Sequence, residues 1–139
     1  MRLINQYLIG GQRLRELGSD RHTDDCDWLV NSPDDDRLFI HAPDGDYINA
    51  SAHPLYAEIW AEEIGNDEQV TVTGLLNMCV FAFVQHCENG FWDKADAKEY
   101  DIKFLARKFN ARNFDIAKKY ISSGAAIEVQ KILDAVIGR

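Results

Sequence analysis

The stretch that most constrains the fold of this chain is residues 8–30, LIGGQRLRELGSDRHTDDCDWLV. Its pattern predicts a short strand, a turn at Gly10 and Gly11, a helix that starts at residue 12, and a second strand over 25–30 that carries two acids. On an extended strand, Asp25 and Asp27 point to the same face because they are two residues apart. Two carboxylates on one face repel each other unless a cation lies between them. The stretch therefore predicts a divalent-metal site beside a glycine turn that could approach phosphate.

A hairpin is expected next along the chain. The segments RLFIHA (37–42) and DYINAS (46–51) are typical of strands, and PDG (43–45) has the chemistry of a tight turn between them. A helix over 54–63 with Pro in its first turn and a short edge-like segment over 70–72 complete the first half of the chain.

The second half of the chain predicts helices. Thr73 is a candidate N-cap, and residues 75–87 are apolar on nearly every face, which is typical of a helix at the centre of a core. Amphipathic helices follow, one of them capped by Asn113 and ended by Gly124. Gly138 is expected to end the last helix.

These patterns together predict an α+β fold, or a split α/β plan, in which a small mixed β-sheet is followed by a helical C-terminal half. The sequence contains no internal repeat, low-complexity segment or interdomain linker. Residues 1–139 are therefore expected to form one domain, with a sheet-bearing part over 1–72 and a helical part over 73–139.

The charge is distributed unevenly along the chain. The formal net charge is −8; residues 1–90 contain 5 Lys+Arg against 16 Asp+Glu, and residues 91–139 contain 10 against 7. An acidic protein is a poor candidate for broad binding to duplex DNA. The basic C-terminal part can still present a local wall of positive charge to a phosphate-bearing ligand.

Signals for secretion, membrane insertion and zinc binding are absent from the sequence. The N-terminus lacks the order of a signal peptide, and the longest apolar run, 75–84, is too short to cross a bilayer. We therefore expect a soluble, cytoplasmic protein without a membrane partner. The 3 cysteines form no CxxC pair and the 4 histidines form no HxH or HxxxH pair, so neither residue type predicts a metal site.

One family resemblance follows from these motifs. The run IGG (9–11), followed by RxTxDxD (21–27) and apolar residues, resembles the signature of the nucleotidyltransferase superfamily. More narrowly, it is similar to the minimal nucleotidyltransferases of toxin–antitoxin and abortive-infection systems. In that family a Gly-Gly or Gly-Ser turn opens the first helix, a DxD strand follows, and a later strand supplies a third carboxylate. The resemblance covers residues 4–51 by motif and the rest of the chain only by its general plan.

The resemblance implies a Mg²⁺-dependent or Mn²⁺-dependent enzyme that moves a nucleoside monophosphate from a nucleoside triphosphate to an acceptor hydroxyl. It implies that the catalytic residues and metal ligands are Asp25, Asp27 and Asp46, and oxygen ligands are what Mg²⁺ prefers. The implied nucleotide-binding residues are Gly10, Gly11, Gln12, Arg13, Arg21 and Lys98.

Two positions depart from the family's pattern. Active members often place Ser after the glycine, where its hydroxyl contacts phosphate, whereas here Gln12 and Arg13 follow the two glycines. The segment AKEYDIKFL (97–105) resembles the family's tail helix, but Lys98 is one residue closer to Asp101 than in the family's pattern.

Three functions from different classes stay open at this point. The first is an active nucleotidyltransferase, whose acceptor could be a protein hydroxyl, an RNA end or a small molecule. The second is a catalytically degenerate member of the same fold that acts as a binding or antitoxin-like partner of another protein. The third is an acidic interaction domain without a nucleotide site.

Overall fold

A computed structural model describes residues 6–23, 26–62 and 69–138 of the protein. The chain divides into two compact units, Met1–Thr71 and Val72–Arg139. The described part of the first unit contains a four-stranded mixed sheet with helices, and the described part of the second unit is helical. The predicted combination of a small mixed sheet with a helical second half is therefore confirmed. The assignment of residues 1–139 to one domain stays a prediction.

The first unit begins with the strand and turn that the sequence predicted. Its elements are β1 (Gln6–Ile9), α1 (Gly10–Glu16), β2 (Asp27–Val30), β3 (Phe39–Ala42), β4 (Gly45–Asn49), a 3-10 turn (Ala50–Ala52) and α2 (Pro54–Glu62). Helix α1 begins at Gly10, two residues before the predicted start at Gln12, because Gly10 makes the sharp turn itself with a positive φ of 67°.

The strands lie in the order β1-β2-β4-β3. β1 is antiparallel to β2, β2 is parallel to β4, and β4 is antiparallel to β3. The predicted hairpin is confirmed, since Ala42 pairs with Gly45 across a two-residue turn. The hairpin places β4 against β2 and leaves β3 at the edge of the sheet.

One face of the sheet is apolar at one end and acidic at the other. Leu29 is completely buried, and its register partner Tyr7 packs edge-on against Trp60 of α2 with ring centroids 5.2 Å apart. Side chains two residues apart on a strand share a face, so Asp27 lies on the face of Leu29. Asp46 shares that face as the register partner of Asp27.

The second unit contains α3 (Val72–Glu88), α4 (Trp92–Phe109), α5 (Asp115–Lys118) and α6 (Ser123–Ile137). Helix α3 is the central helix that the sequence predicted: Leu75, Leu76 and Phe81, which lie on different sides of it, are each at most 4% exposed. Gly138 ends α6 with a φ of 87°, as predicted. Among the described residues, no helix is long and apolar enough to cross a membrane.

Two predictions for residues 70–73, where the chain passes from the first unit to the second, are wrong. The edge-like segment over 70–72 is not a strand, because α3 already begins at Val72. Thr73 lies inside that helix and therefore does not cap it. Val70 is only 1% exposed, so the apolar residues that suggested a strand reflect burial in the core.

The boundaries around α5 also differ from the prediction. Asn113 lies one residue before the N-cap of α5, although its Oδ1 accepts the N–H of Asp115 at 3.0 Å. Gly124 does not end that helix but lies in the first turn of α6. Ser122 caps α6, and its Oγ accepts the N–H of Ala125 at 3.1 Å. A good capping residue just before Gly124 therefore outweighs the glycine as a stop signal.

Candidate functional site

Two of the three predicted carboxylates are neighbours in the sheet. Asp27 opens β2, Asp46 is the second residue of β4, and the two are register partners in the parallel β2–β4 pairing. Adjacent strands lie about 4.8 Å apart and register partners point to the same face. The structure therefore brings Asp27 and Asp46 side by side at the end of the sheet where both strands begin. Asp25, the third predicted carboxylate, lies outside the described residues.

A glycine fixes the position of Asp46. Gly45 has a φ of 144°, and a methyl carbon added to it would collide with the carbonyl oxygen of Cys26. The same carbonyl accepts the backbone N–H of Asp46 at 3.0 Å. The absence of a side chain at residue 45 therefore allows the start of β4 to come close to the residue before Asp27.

A third polar side chain, which was not predicted from the sequence to belong to the site, lies beside Asp46 on the neighbouring strand. His41 on β3 is the register partner of Asp46, and its Nδ1 is 2.7 Å from Asp46 Oδ1. Both side chains are accessible, 80% exposed for His41 and 47% for Asp46. The predicted hairpin could have indicated this contact, because a two-residue turn that pairs Ala42 with Gly45 also pairs His41 with Asp46.

The Gly-Gly turn lies directly against the first of these carboxylates. A methyl carbon added to Gly10 would be 2.8 Å from Asp27 Oδ2, which is closer than carbon and oxygen atoms normally approach. Gly10 also has the positive φ that favours glycine. Both properties explain why the chain has glycine here, and they place the turn and the acid within one small site.

The second glycine packs on the loop that leads into β2. A methyl carbon added to Gly11 would collide with the methyl group of Thr23 and lie 3.2 Å from Nη2 of Arg21. Gln12 donates from Nε2 to the carbonyl oxygen of Thr23 at 2.8 Å, so its amide holds the loop. Among the predicted nucleotide-binding residues, Gly10, Gly11, Gln12 and Arg21 therefore lie close to one another.

Arg13 is engaged within the first unit. Its Nη1 is 3.3 Å from Glu16 Oε1, and its Nη2 donates to Gln69 Oε1 at 2.9 Å. The Nε of Arg13 is buried and has no hydrogen-bond partner among the described residues. Phosphate binding by this side chain would require exchange of the existing partners.

Lys98, the remaining predicted nucleotide ligand, belongs to α4 in the second unit. Its Nζ is 3.9 Å from Asp101 Oδ2 one helical turn away, and the Asp101 side chain is completely buried. Within its own unit, Lys98 thus provides positive charge near a buried acid. Its contact with a triphosphate stays a prediction.

Carboxylates near Cys26 produce a negative electrostatic potential at this end of the sheet. Burial raises the pKa of the Cys26 thiol, and the charge of Asp27 and, to a smaller extent, that of Asp44 raise it further. The pKa of Tyr47 is raised as well, chiefly because its hydroxyl donates to Asp44 Oδ2 at 2.7 Å. Such a potential favours cations over anions at the paired aspartates.

The donor atoms of Asp27 and Asp46 are of the type that Mg²⁺ and Mn²⁺ prefer. Across residues 6–23, 26–62 and 69–138, however, no group of three or more His, Cys, Asp or Glu side chains is arranged to hold a metal ion. Metal binding by the paired carboxylates stays a prediction, and the remaining predicted ligand, Asp25, lies outside the described residues.

No protein-family model, no curated protein and no solved structure matches the chain.

Proposed function

We propose that the first unit is a nucleotidyltransferase-type site and that the protein transfers a nucleoside monophosphate from a nucleoside triphosphate to an acceptor hydroxyl. One observation carries the proposal, namely the register pairing of Asp27 with Asp46 at the point where the Gly10 turn contacts the Asp27 carboxylate. Two carboxylates on one face beside a close-packed glycine turn support the arrangement that the sequence resemblance implies.

The proposed metal ligands are Asp27 and Asp46, with Asp25 as the third ligand implied by the sequence. Bound Mg²⁺ or Mn²⁺ would supply positive charge to stabilise an in-line displacement at phosphorus. The negative potential at Cys26 and the oxygen donors of the two aspartates both favour a hard divalent cation.

The protein's own residues have distinct proposed roles. The backbone N–H groups that follow Gly10 and Gly11 would bind phosphate, and Arg21, whose Nη2 lies close to Gly11, would offer a guanidinium to it. Asp46 would orient the acceptor hydroxyl, and the contact of its Oδ1 with His41 would hold the carboxylate in place.

A catalytically degenerate site is the second candidate, and specific contacts favour it. Arg13 is engaged by Glu16 and Gln69, and Asp46 by His41. Gln12, which stands near the place of the phosphate-binding hydroxyl of active members, is used to hold the loop at Thr23. Such a protein would bind a nucleotide or a partner protein without turnover.

Labelling distinguishes the two candidates. The protein is incubated with nucleoside triphosphates labelled at the α-phosphorus, with Mg²⁺ or Mn²⁺, and with cell extract as the source of acceptor. An active enzyme should label an acceptor, and both Asp27→Asn and Asp46→Asn should abolish the labelling. The matched control is Asp34→Asn, which removes an exposed acid in the loop before β3. Labelling that is unchanged in both site variants would contradict the proposal.

A thermal-shift titration completes the comparison. Without turnover, a rise in Tm with nucleotide and Mn²⁺ that disappears in Asp27→Asn would support the degenerate binding protein. If neither labelling nor a shift occurs, the active enzyme and nucleotide binding by a degenerate site are both excluded, and a partner-binding protein or an acidic interaction domain is left.

A further inference from the structure

A cleft of about 600 Å³ opens in the second unit, with walls from α3, α4 and α6. This volume falls within the range of small-molecule sites, roughly 300–1,000 Å³. The apolar part of the wall comes from α3 and α6 and consists of Phe83, Val84, Cys87, Ala125, Ile132 and Ala135. The cleft can therefore take the apolar body of a small ligand.

The charged side chains around the cleft do not cancel completely. Glu99 pairs with Lys103 at 2.7 Å, and Glu128 pairs with Lys131 at 3.2 Å. Glu88, at the end of α3, also lines the cleft and is exposed, and it forms no ion pair with a residue that the structure describes. One negative charge is thus left over beside the apolar wall.

The pKa of the Cys87 thiol gives a second indication that the charge around the cleft is negative. Burial raises the pKa of Cys87, and the carboxylates of Glu99, Asp96 and Glu88 raise it further. The charges that raise this pKa are thus all carboxylates, although Lys103 also lines the cleft. A cation is favoured here and an anion is disfavoured.

We propose that this cleft binds a small apolar molecule that carries one protonated amine. The apolar part would contact the α3 and α6 walls, and the ammonium group would lie beside Glu88. A neutral ligand would leave Glu88 uncompensated, and an anionic ligand would add a like charge to it. The proposal concerns residues of the second unit alone and does not depend on the nucleotidyltransferase function.

The experiment uses three probes with one ring system: 1-naphthylmethylamine, 1-naphthalenemethanol and 1-naphthoic acid. Calorimetric titration of the full chain should show that the amine binds up to about five-fold more tightly than the alcohol, the ratio that one exposed ion pair supplies. The acid should bind most weakly. Saturating amine should also slow the alkylation of Cys87 by iodoacetamide, measured by peptide mass spectrometry.

Matched variants test the two parts of the site separately. Ala135→Trp should fill the cleft and abolish amine binding, whereas Ile127→Trp, an equally large side chain at an exposed position of α6 outside the cleft, should not. Glu88→Gln should remove the preference for the amine over the alcohol, and Asp93→Asn, which removes an exposed acid outside the lining, should keep it. Circular dichroism confirms that each variant is folded.

Three results would overturn the proposal. The first is equal affinity for the three probes or no binding of any of them. The second is amine binding that survives Ala135→Trp. The third is a self-association of the chain that is lost with Ala135→Trp and that displaces the amine, because the cleft would then be an interface between two copies.

Discussion

Replacement of Gly10 by Ala tests the contact between the turn and the Asp27 carboxylate. A left-handed backbone costs a non-glycine residue about 1–2 kcal/mol, and the loss of unfolded-state entropy returns about 0.4–1 kcal/mol. The added methyl group would also lie 2.8 Å from Asp27 Oδ2 and force that side chain to rotate, at about 0.5–1.5 kcal/mol. We therefore expect Gly10→Ala to lower the free energy of unfolding by about 2 kcal/mol.

Gly90 provides the matched control. It has a φ of 75° and a methyl carbon added there meets no atom within 4 Å, so Gly90→Ala should carry only the backbone cost, about 1 kcal/mol. In an Asp27→Ala background the clash is gone, and Gly10→Ala should become as mild as the control. The expected coupling between Gly10→Ala and Asp27→Ala is therefore about 1 kcal/mol.

Urea denaturation followed by tryptophan fluorescence and circular dichroism measures these free energies. If Gly10→Ala costs no more than Gly90→Ala, or if the coupling to Asp27→Ala is zero, the close packing of turn and carboxylate is refuted.

Three further predictions follow from other contacts. Gly45→Ala should lower the free energy of unfolding by about 3 kcal/mol or more, because Gly45 has a φ of 144° and the added methyl group would collide with the Cys26 carbonyl. Thermal melting measures this loss of stability, and an unchanged Tm would contradict the prediction. Asn77→Ala should cost about 3 kcal/mol in urea denaturation, because this completely buried amide bonds three backbone groups; a cost below about 1 kcal/mol would contradict it. Asp35 should titrate in NMR with a pKa of about 2, chiefly because Arg37 donates hydrogen bonds to its carboxylate. The depressed pKa of Asp35 stabilises the folded state above about pH 4, and this stabilisation is lost as the pH falls toward 2. Arg37→Gln should return that pKa toward 3.8, and an unchanged value would refute the assignment.

Local chemistry was sufficient to predict several elements of this fold. The alternation of apolar residues and the Pro-Asp-Gly turn specify the β3–β4 hairpin, because loop length sets its register. The all-round apolar character of α3 specifies a central helix, because such a surface is stable only when it is buried. Helix ends were predicted less well, because capping depends on competition between neighbouring residues. Ser122 and Gly124 are an example, since the serine starts a helix where the glycine alone suggested an end.

The sequence by itself determined the chemical components of the candidate site: the Gly-Gly turn, the two acids of the strand predicted over 25–30, and an acid at the start of a later strand. Only the tertiary structure decided that Asp27 and Asp46 lie side by side, because the parallel β2–β4 pairing joins strands that are not consecutive in the chain. The same pairing positions the β3–β4 hairpin next to β2 and thereby places His41 beside the two aspartates. A pattern of residues specifies which side chains share a face of one strand, but only the strand order specifies which strands are neighbours.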